Sequence, residues 1–226
     1  LSAPGRNRAE SAGTDAAAGL LNPAGHIDME YRQGLLHFRQ LDIAFPAASH
    51  ARVAGTAGIR SLSDLTIDFH STDLPESLQL IRILSRQKIR LDGSAWLPES
   101  MHSLDFHGRL HGSLLQPEVE GDLICARPVW KRSGWDSFSG NLHWNLKGLS
   151  VRDMSVTGPS GQARAELSMQ YATGNTPFSL NLRGRTDGLD ANILSRALTP
   201  EPPLHGKLEA DFELEYDSEM WSGRAD

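Results

Sequence analysis

The chain has 226 residues, a formal net charge of −6, 39% hydrophobic residues and one cysteine, Cys125. Its lysines and arginines are scattered rather than gathered into a stripe, which argues against a nucleic-acid binder and against a protein that lies flat on anionic lipid. A lone thiol leaves no internal disulfide framework and no Cys-cluster metal site, and no apolar run nears the roughly 20 residues that cross a bilayer as a helix.

Residues 1–26 are rich in Ala, Gly, Ser and Asn and show neither helical nor strand period, so they read as a linker or inserted loop. From Ile27 onward, apolar and polar residues alternate in short runs. The alternation predicts strands over 27–33, 35–45, 51–60, 63–70, 89–97, 102–114, 118–126, 137–147, 149–157, 162–172, 176–185 and 204–216. Leu65-Thr66-Ile67-Asp68-Phe69 shows the pattern, as do Phe178-Ser179-Leu180-Asn181-Leu182 and the run Leu208, Ala210, Phe212, Leu214, Tyr216. Each such strand has one apolar and one polar face. Either two such sheets close on each other, or the apolar face stays open. Links such as Gly158-Pro159-Ser160-Gly161 are too short for parallel crossovers, so neighbouring strands are expected to be antiparallel. Cys125 falls within an alternating strand and reads as a small buried hydrophobe.

Two segments leave the strand rhythm. In the first, Asp73 serves as N-cap, Pro75 fits the first turn and Glu76 completes a capping box, with Leu74, Leu78, Ile81 and Leu84 at helical spacing. The second starts near Asp187, carries Leu189, Ile193, Leu194 and Ala197 on one side, and stops before Pro200. The second repeats the first at one offset, Leu80 and Ile81 mapping onto Ile193 and Leu194 (193 − 80 = 113). Leu65, Ile67 and Phe69 map onto Phe178, Leu180 and Leu182 (178 − 65 = 113), and Leu41, Ile43 and Pro46 map onto Met154, Val156 and Pro159 by the same shift. We read residues 27–139 as one repeat and 140–226 as a second, incomplete one. The chain starts with Leu and ends just after a strand-like run, which reads as a segment of a longer protein.

The run Gly108-Arg109-Leu110-His111-Gly112-Ser113-Leu114-Leu115-Gln116-Pro117-Glu118-Val119-Glu120-Gly121-Asp122-Leu123 has a G-x-L-x-G-x-L … P-x-V-x-G-x-L cadence that resembles the TamB family, the translocation and assembly module proteins within the AsmA-like group. Leu91-Asp92-Gly93, Pro203-Leu204-His205-Gly206-Lys207-Leu208 and Gly158-Pro159-Ser160-Gly161-Gln162-Ala163 look like the same family's strand openings and hairpin crossings. The resemblance covers roughly residues 35–216 and matches a middle segment. It implies a mostly β fold: an elongated, curved antiparallel sheet, a β-taco or repeating β-groove, with an apolar concave face and short helices between repeats. It further implies a periplasmic, inner-membrane-anchored protein of a diderm bacterium that carries phospholipid acyl chains toward the outer membrane. An outer-membrane barrel partner (TamA-like) would be engaged through parts outside this chain. The alternative function is a structural scaffold for outer-membrane protein assembly, in which a partner strand adds to an exposed edge.

On this view the groove is lined by Leu65, Ile67, Phe69, Leu91, Leu104, Phe106, Val119, Leu123, Leu142, Trp144, Leu146, Leu167, Met169, Leu180, Leu182, Leu208, Phe212 and Leu214, while Asn181, Arg183, Lys207, Glu209 and Asp211 face outward. The residues hold no signature of catalysis and call for no cofactor or metal. His107 and His111 sit four apart on a strand, about 13 Å, too far to share one zinc. His37 and His143 read as polar alternates, and Asp211, Glu213 and Glu215 as a wet face. Ser160 lacks a G-x-S-x-G elbow. Trp130 and Trp135 flank Lys131-Arg132-Ser133-Gly134, an exposed-looking loop that reads as a hairpin tip with aromatic plugs.

Overall fold

A computed structural model describes residues 24–46, 48–77, 98–130, 133–172, 177–192, 205–217 and 220–226. The strands are β1 (Ala24–Arg32), β2 (Leu35–Ala44), β3 (His50–Gly58), β4 (Ser63–Ser71), β5 (Ser103–Ser113), β6 (Gln116–Ala126), β7 (Val129–Trp130), β8 (Ser133–Gly134), β9 (Ser137–Asn145), β10 (Gly148–Gly158), β11 (Gly161–Gln170), β12 (Ser179–Asp190), β13 (Lys207–Asp217) and β14 (Met220–Ala225). Twelve of them form a single antiparallel sheet ordered β1-β2-β3-β4-β5-β6-β9-β10-β11-β12-β13-β14, so the chain meanders from one edge to the other. β7 and β8 make a separate two-stranded ribbon in the link from β6 to β9.

The short links explain the meander. Gln33 and Gly34 both have positive φ, 51° and 83°, as a two-residue turn matched to strand twist requires. At the β9–β10 turn, the Asn145 carboxamide oxygen accepts the N–H groups of Lys147 (2.8 Å) and Gly148 (3.1 Å), which closes the bend locally. One rim of the sheet carries the links 33–34, 59–62, 114–115, 146–147, 171–178 and 218–219; the opposite rim carries 45–49, 72–102, 127–136, 159–160 and 191–206.

A single helical turn at 74–77 follows β4. Asp73 caps it as expected, its Oδ1 accepting the Glu76 N–H at 2.7 Å. The return half of the box is built differently. The Asp73 N–H donates to Ser71 Oγ (3.0 Å), and Glu76 Oε2 accepts the Ser49 N–H (3.1 Å). The buried Ser71 hydroxyl lies 2.7 Å from those of both Ser49 and Ser77, so three hydroxyls tie the 45–49 link to the helix start. The second helix start is corrected. β12 runs through Asp187 and ends at Asp190, whose Oδ1 accepts the Asn192 N–H at 2.9 Å. Asp187-Gly188 is a strand bulge between the pairs Thr186↔Ala210 and Leu189↔Leu208, which keeps Leu189 in the ladder. The expected strand 89–97, the helix positions Leu78, Ile81, Leu84, Ile193, Leu194 and Ala197, and Leu91-Asp92-Gly93 lie outside the described residues.

The sheet also carries a repeated irregularity. Between β2 and β3 the pairing skips from Phe38↔Gly55 to Leu41↔Val53; between β10 and β11 it skips from Val151↔Leu167 to Met154↔Ala165. Both ends of the second bulge stand at the offset seen in the sequence pattern (151 − 38 and 154 − 41 both equal 113). The sheet itself runs without a break through residues 139 and 140, both inside β9.

Gly108 and Gly121 face each other at the centre of the β5–β6 ladder. A Cβ on Gly121 would stand 2.3 Å from the His107 carbonyl oxygen and 2.4 Å from the Gly108 Cα, both backbone. Gly121→Ala is therefore expected to cost about 1–3 kcal/mol through forced backbone shifts. Gly134→Ala, with nothing within 4 Å of its Cβ, should change stability by less than about 0.5 kcal/mol. Urea midpoints of the two variants check the contrast.

Candidate functional site

Partners directly opposite in an antiparallel ladder point to the same side of the sheet, and so do residues two apart along a strand. The register thus assigns each strand residue to a face. One row of partners runs Met29–Phe38–Gly55–Leu65–Leu110–Val119–Trp144–Leu149–Met169–Leu180–Tyr216, from β1 to β13. The next row runs Ile27–Leu41–Val53–Ile67–Gly108–Gly121–Leu142–Val151–Leu167–Leu182–Leu214–Gly223, from β1 to β14. Neither row holds a charged residue. Phe69, Phe106 and Leu123 extend the surface on β4–β6, and Phe212 extends it opposite Gly184.

This face is covered mainly by its own side chains. Leu65, Val151 and Leu180 are buried, but most of the large apolar residues around them are half-buried. Extensive strand contacts join ladder neighbours only, so among the described residues no second sheet is stacked on the face. The rings lie down instead. Phe106 Cζ sits 2.5 Å from where a Gly108 Cβ would be, and Phe212 Cζ sits 2.8 Å from where a Gly184 Cβ would be. Each glycine gives a ring flat ground to cover.

Sixteen of the residues expected to line the face stand on it: those in the rows above, with Leu104 opposite Ser71 and Cys125, and Leu208 opposite Leu189. Leu146 does not. It sits in the β9–β10 turn beyond the last ladder pair and is exposed, because Asn145 ends the strand two residues earlier than expected. Leu91 lies outside the described residues. The register adds Phe38, Leu41, Val53, Leu110, Leu149, Val151 and Tyr216, which the alternation reading left out. Trp135 is buried and Trp130 meets Phe138 edge-on, with ring centroids 6.2 Å apart, so this hairpin is folded in rather than exposed; Lys131 and Arg132 lie outside the described residues.

The other face is a lattice of cross-strand charges. Arg52 donates to Asp42 (2.9 Å), Arg183 to Glu166 (2.6 Å) and Asn181 to Glu215 (3.0 Å). His70 Nδ1 is 2.6 Å from Asp105, His111 Nε2 is 3.1 Å from Glu120, and His107 contacts Asp68. The Arg52 hydrogen bond, then that of Gln40, holds the Asp42 carboxyl below its ordinary range, and the Glu166 hydrogen bond raises Arg183. Among the described residues no three His, Cys, Asp or Glu side chains gather where they would hold a metal ion. A broad depression here, of 930 Å³, is lined by Arg164, Glu166, Arg183, Arg185, Asp211 and Glu213 among others, opposite charges in near balance. No known protein family, curated protein or solved structure matches the chain.

Cys125 belongs to the apolar face, opposite Leu104 and Phe138, and is 4% exposed. Burial, and then the Asp105 charge, push its thiol up to about 11. At pH 8 its thiolate fraction should be about a hundredfold below that of an ordinary thiol near 8.5. Iodoacetamide labelling is expected to be slower in the folded chain than in urea by at least that factor. The folded chain also keeps a proton that the unfolded chain gives up, so this group's contribution makes stability fall as pH rises from about 8.5 toward 11. A urea series across that range reads the decline.

Proposed function

We propose that this chain is a segment of a non-catalytic lipid conduit of the TamB type, lying in the periplasm of a diderm bacterium and carrying phospholipid acyl chains along its apolar face. The observation that supports this most is the continuity of that face: two adjacent rows of partners cross the sheet without a charge. In this reading the sheet's natural twist curls the face into a trough. An acyl chain laid in it leaves water, which is worth about 0.8 kcal/mol per methylene. Such binding has no fixed geometry, because the contacts are non-directional. A lipid shifted by one strand meets the same kind of surface, so movement across the strands meets only low barriers. The charged lattice on the far face keeps the assembly in water.

A second reading, a scaffold for outer-membrane protein assembly, is favoured by the open edge at β1. No strand pairs with its outer side among the described residues, and Ile27, Met29 and Tyr31 are 58%, 54% and 70% exposed there. A client strand adding to that edge would extend the ladder.

A photo-crosslinking residue at Leu182, on the apolar face, is expected to form phospholipid adducts, while the same residue at the adjacent Arg183 forms none. Mass spectrometry of the purified chain should find phospholipid bound. Equal labelling at both positions, or none, sinks the conduit. Protection of β1 amides by an added outer-membrane strand peptide, without bound lipid, selects the scaffold instead.

A further inference from the structure

The two rims of the sheet differ in their turns. Two-residue hairpin links normally hold Gly, Asn, Asp or Pro. On one rim three successive links, of two to four residues, carry leucine or isoleucine. Ile59 and Leu62 are 62% and 80% exposed in the β3–β4 link, Leu114 and Leu115 are 38% and 55% exposed in the β5–β6 turn, and Leu146 is 39% exposed in the β9–β10 turn. These turns follow one another along the rim, and the Leu114 N–H donates to the Gly58 carbonyl at 2.9 Å, tying the first two together. Among the described residues, no exposed large apolar side chain stands in a link of the opposite rim.

Three features say what this rim meets. Gly112 and Trp144 are the last apolar-face residues of β5 and β9 before this rim, and Leu114 and Leu146 follow them in the turns, so exposed leucines adjoin the end of that face. Apolar side chains therefore continue from the face onto this rim at Leu114, Leu115 and Leu146. The same turns also hold cations: Arg60 lies between Ile59 and Leu62, and Lys147 follows Leu146, both exposed. Leucine beside arginine or lysine, in a loop tip, suits a molecule with an apolar tail and an anionic head.

We propose that this rim is the lip over which glycerophospholipid from a bilayer reaches the apolar face, with its acyl chains crossing Leu62, Leu115 and Leu146 while Arg60 and Lys147 hold the phosphate. This rests on the conduit reading and adds the side from which the sheet is loaded.

The test uses the full chain, vesicles of phosphatidylethanolamine and phosphatidylglycerol with a trace of fluorescent phospholipid, and the Leu182 crosslinker. The variant L62N/L115N/L146N changes only exposed turn residues, so circular dichroism should match the parent. Loading is expected to slow at least tenfold, with the Leu182 adduct at saturation unchanged. Loading at the parent rate, with Leu182 still labelled, overturns the lip and leaves the conduit standing. No Leu182 adduct in the parent removes the conduit, and the lip with it. R60Q/K147Q should slow loading of phosphatidylglycerol and of phosphatidylcholine alike, since both carry the phosphate; loading of both at the parent rate overturns the phosphate assignment.

Discussion

The structure depends on keeping one apolar phase in step across twelve strands. Side chains alternate with a period of two, so a slip of one residue would turn a whole strand inside out. Among the described strands the alternation slips at three places. Apolar positions shift from Leu36 and Phe38 to Leu41 and Ile43, from Leu149 and Val151 to Met154 and Val156, and from Leu180 and Leu182 to Leu189. At each slip a polar or glycine-containing pair is looped against a single partner residue: Arg39-Gln40, Arg152-Asp153 and Asp187-Gly188. Asp153 takes φ of 50° and Gly188 φ of 60° to do so. The bulges restore the phase, and the unbroken rows are their result.

Among the described residues no second layer stacks on the sheet, so its stabilisation is sought within the sheet itself. Large side chains lie along the surface, onto glycines of their own or a neighbouring strand, as Phe106 does over Gly108 and Phe212 over Gly184. The far face contributes through charge pairs between neighbouring strands, most of them exposed and individually weak. More secure anchoring sits at the rim that carries the long links. There the Ser49–Ser71–Ser77 hydroxyls and the cap at Asp73 fix one crossover, and buried Pro128 and Trp135 fix another. On the opposite rim the β3–β4, β5–β6 and β9–β10 links are short and carry the exposed Ile59, Leu62, Leu114, Leu115 and Leu146.

Much of the fold was legible in the alternation. Eleven of the expected strands correspond to β1–β6 and β9–β13 with ends shifted by a few residues, and the short links implied the meander. Asp73 was legible as a cap because its position before Pro75 and Glu76 has a local cause. Asp187 misled because Asp-Gly fits both a helix start and a bulge; only the pairing of Leu189 with Leu208 separates them. β7, β8 and β14 are too short, or too irregular, to show a period. Phe38, Leu149 and Val151 were missed as lining residues because the phase flips beside each. The offset of 113 held the missing hint, since a polar doublet recurs with it. Whether the apolar face has a lid was never legible, since a closed sandwich demands the same alternation.

The spatial order of this sheet is also its chain order, and each strand leans almost wholly on its two neighbours. Cooperativity in such an array passes from strand to strand instead of through a shared centre. Denaturation should therefore proceed inward from the two flanks, with β1 and β14 fraying first and the β5–β6 region last. A melting temperature read from one tryptophan will describe that tryptophan's neighbourhood, and different reporters along the chain will return different values.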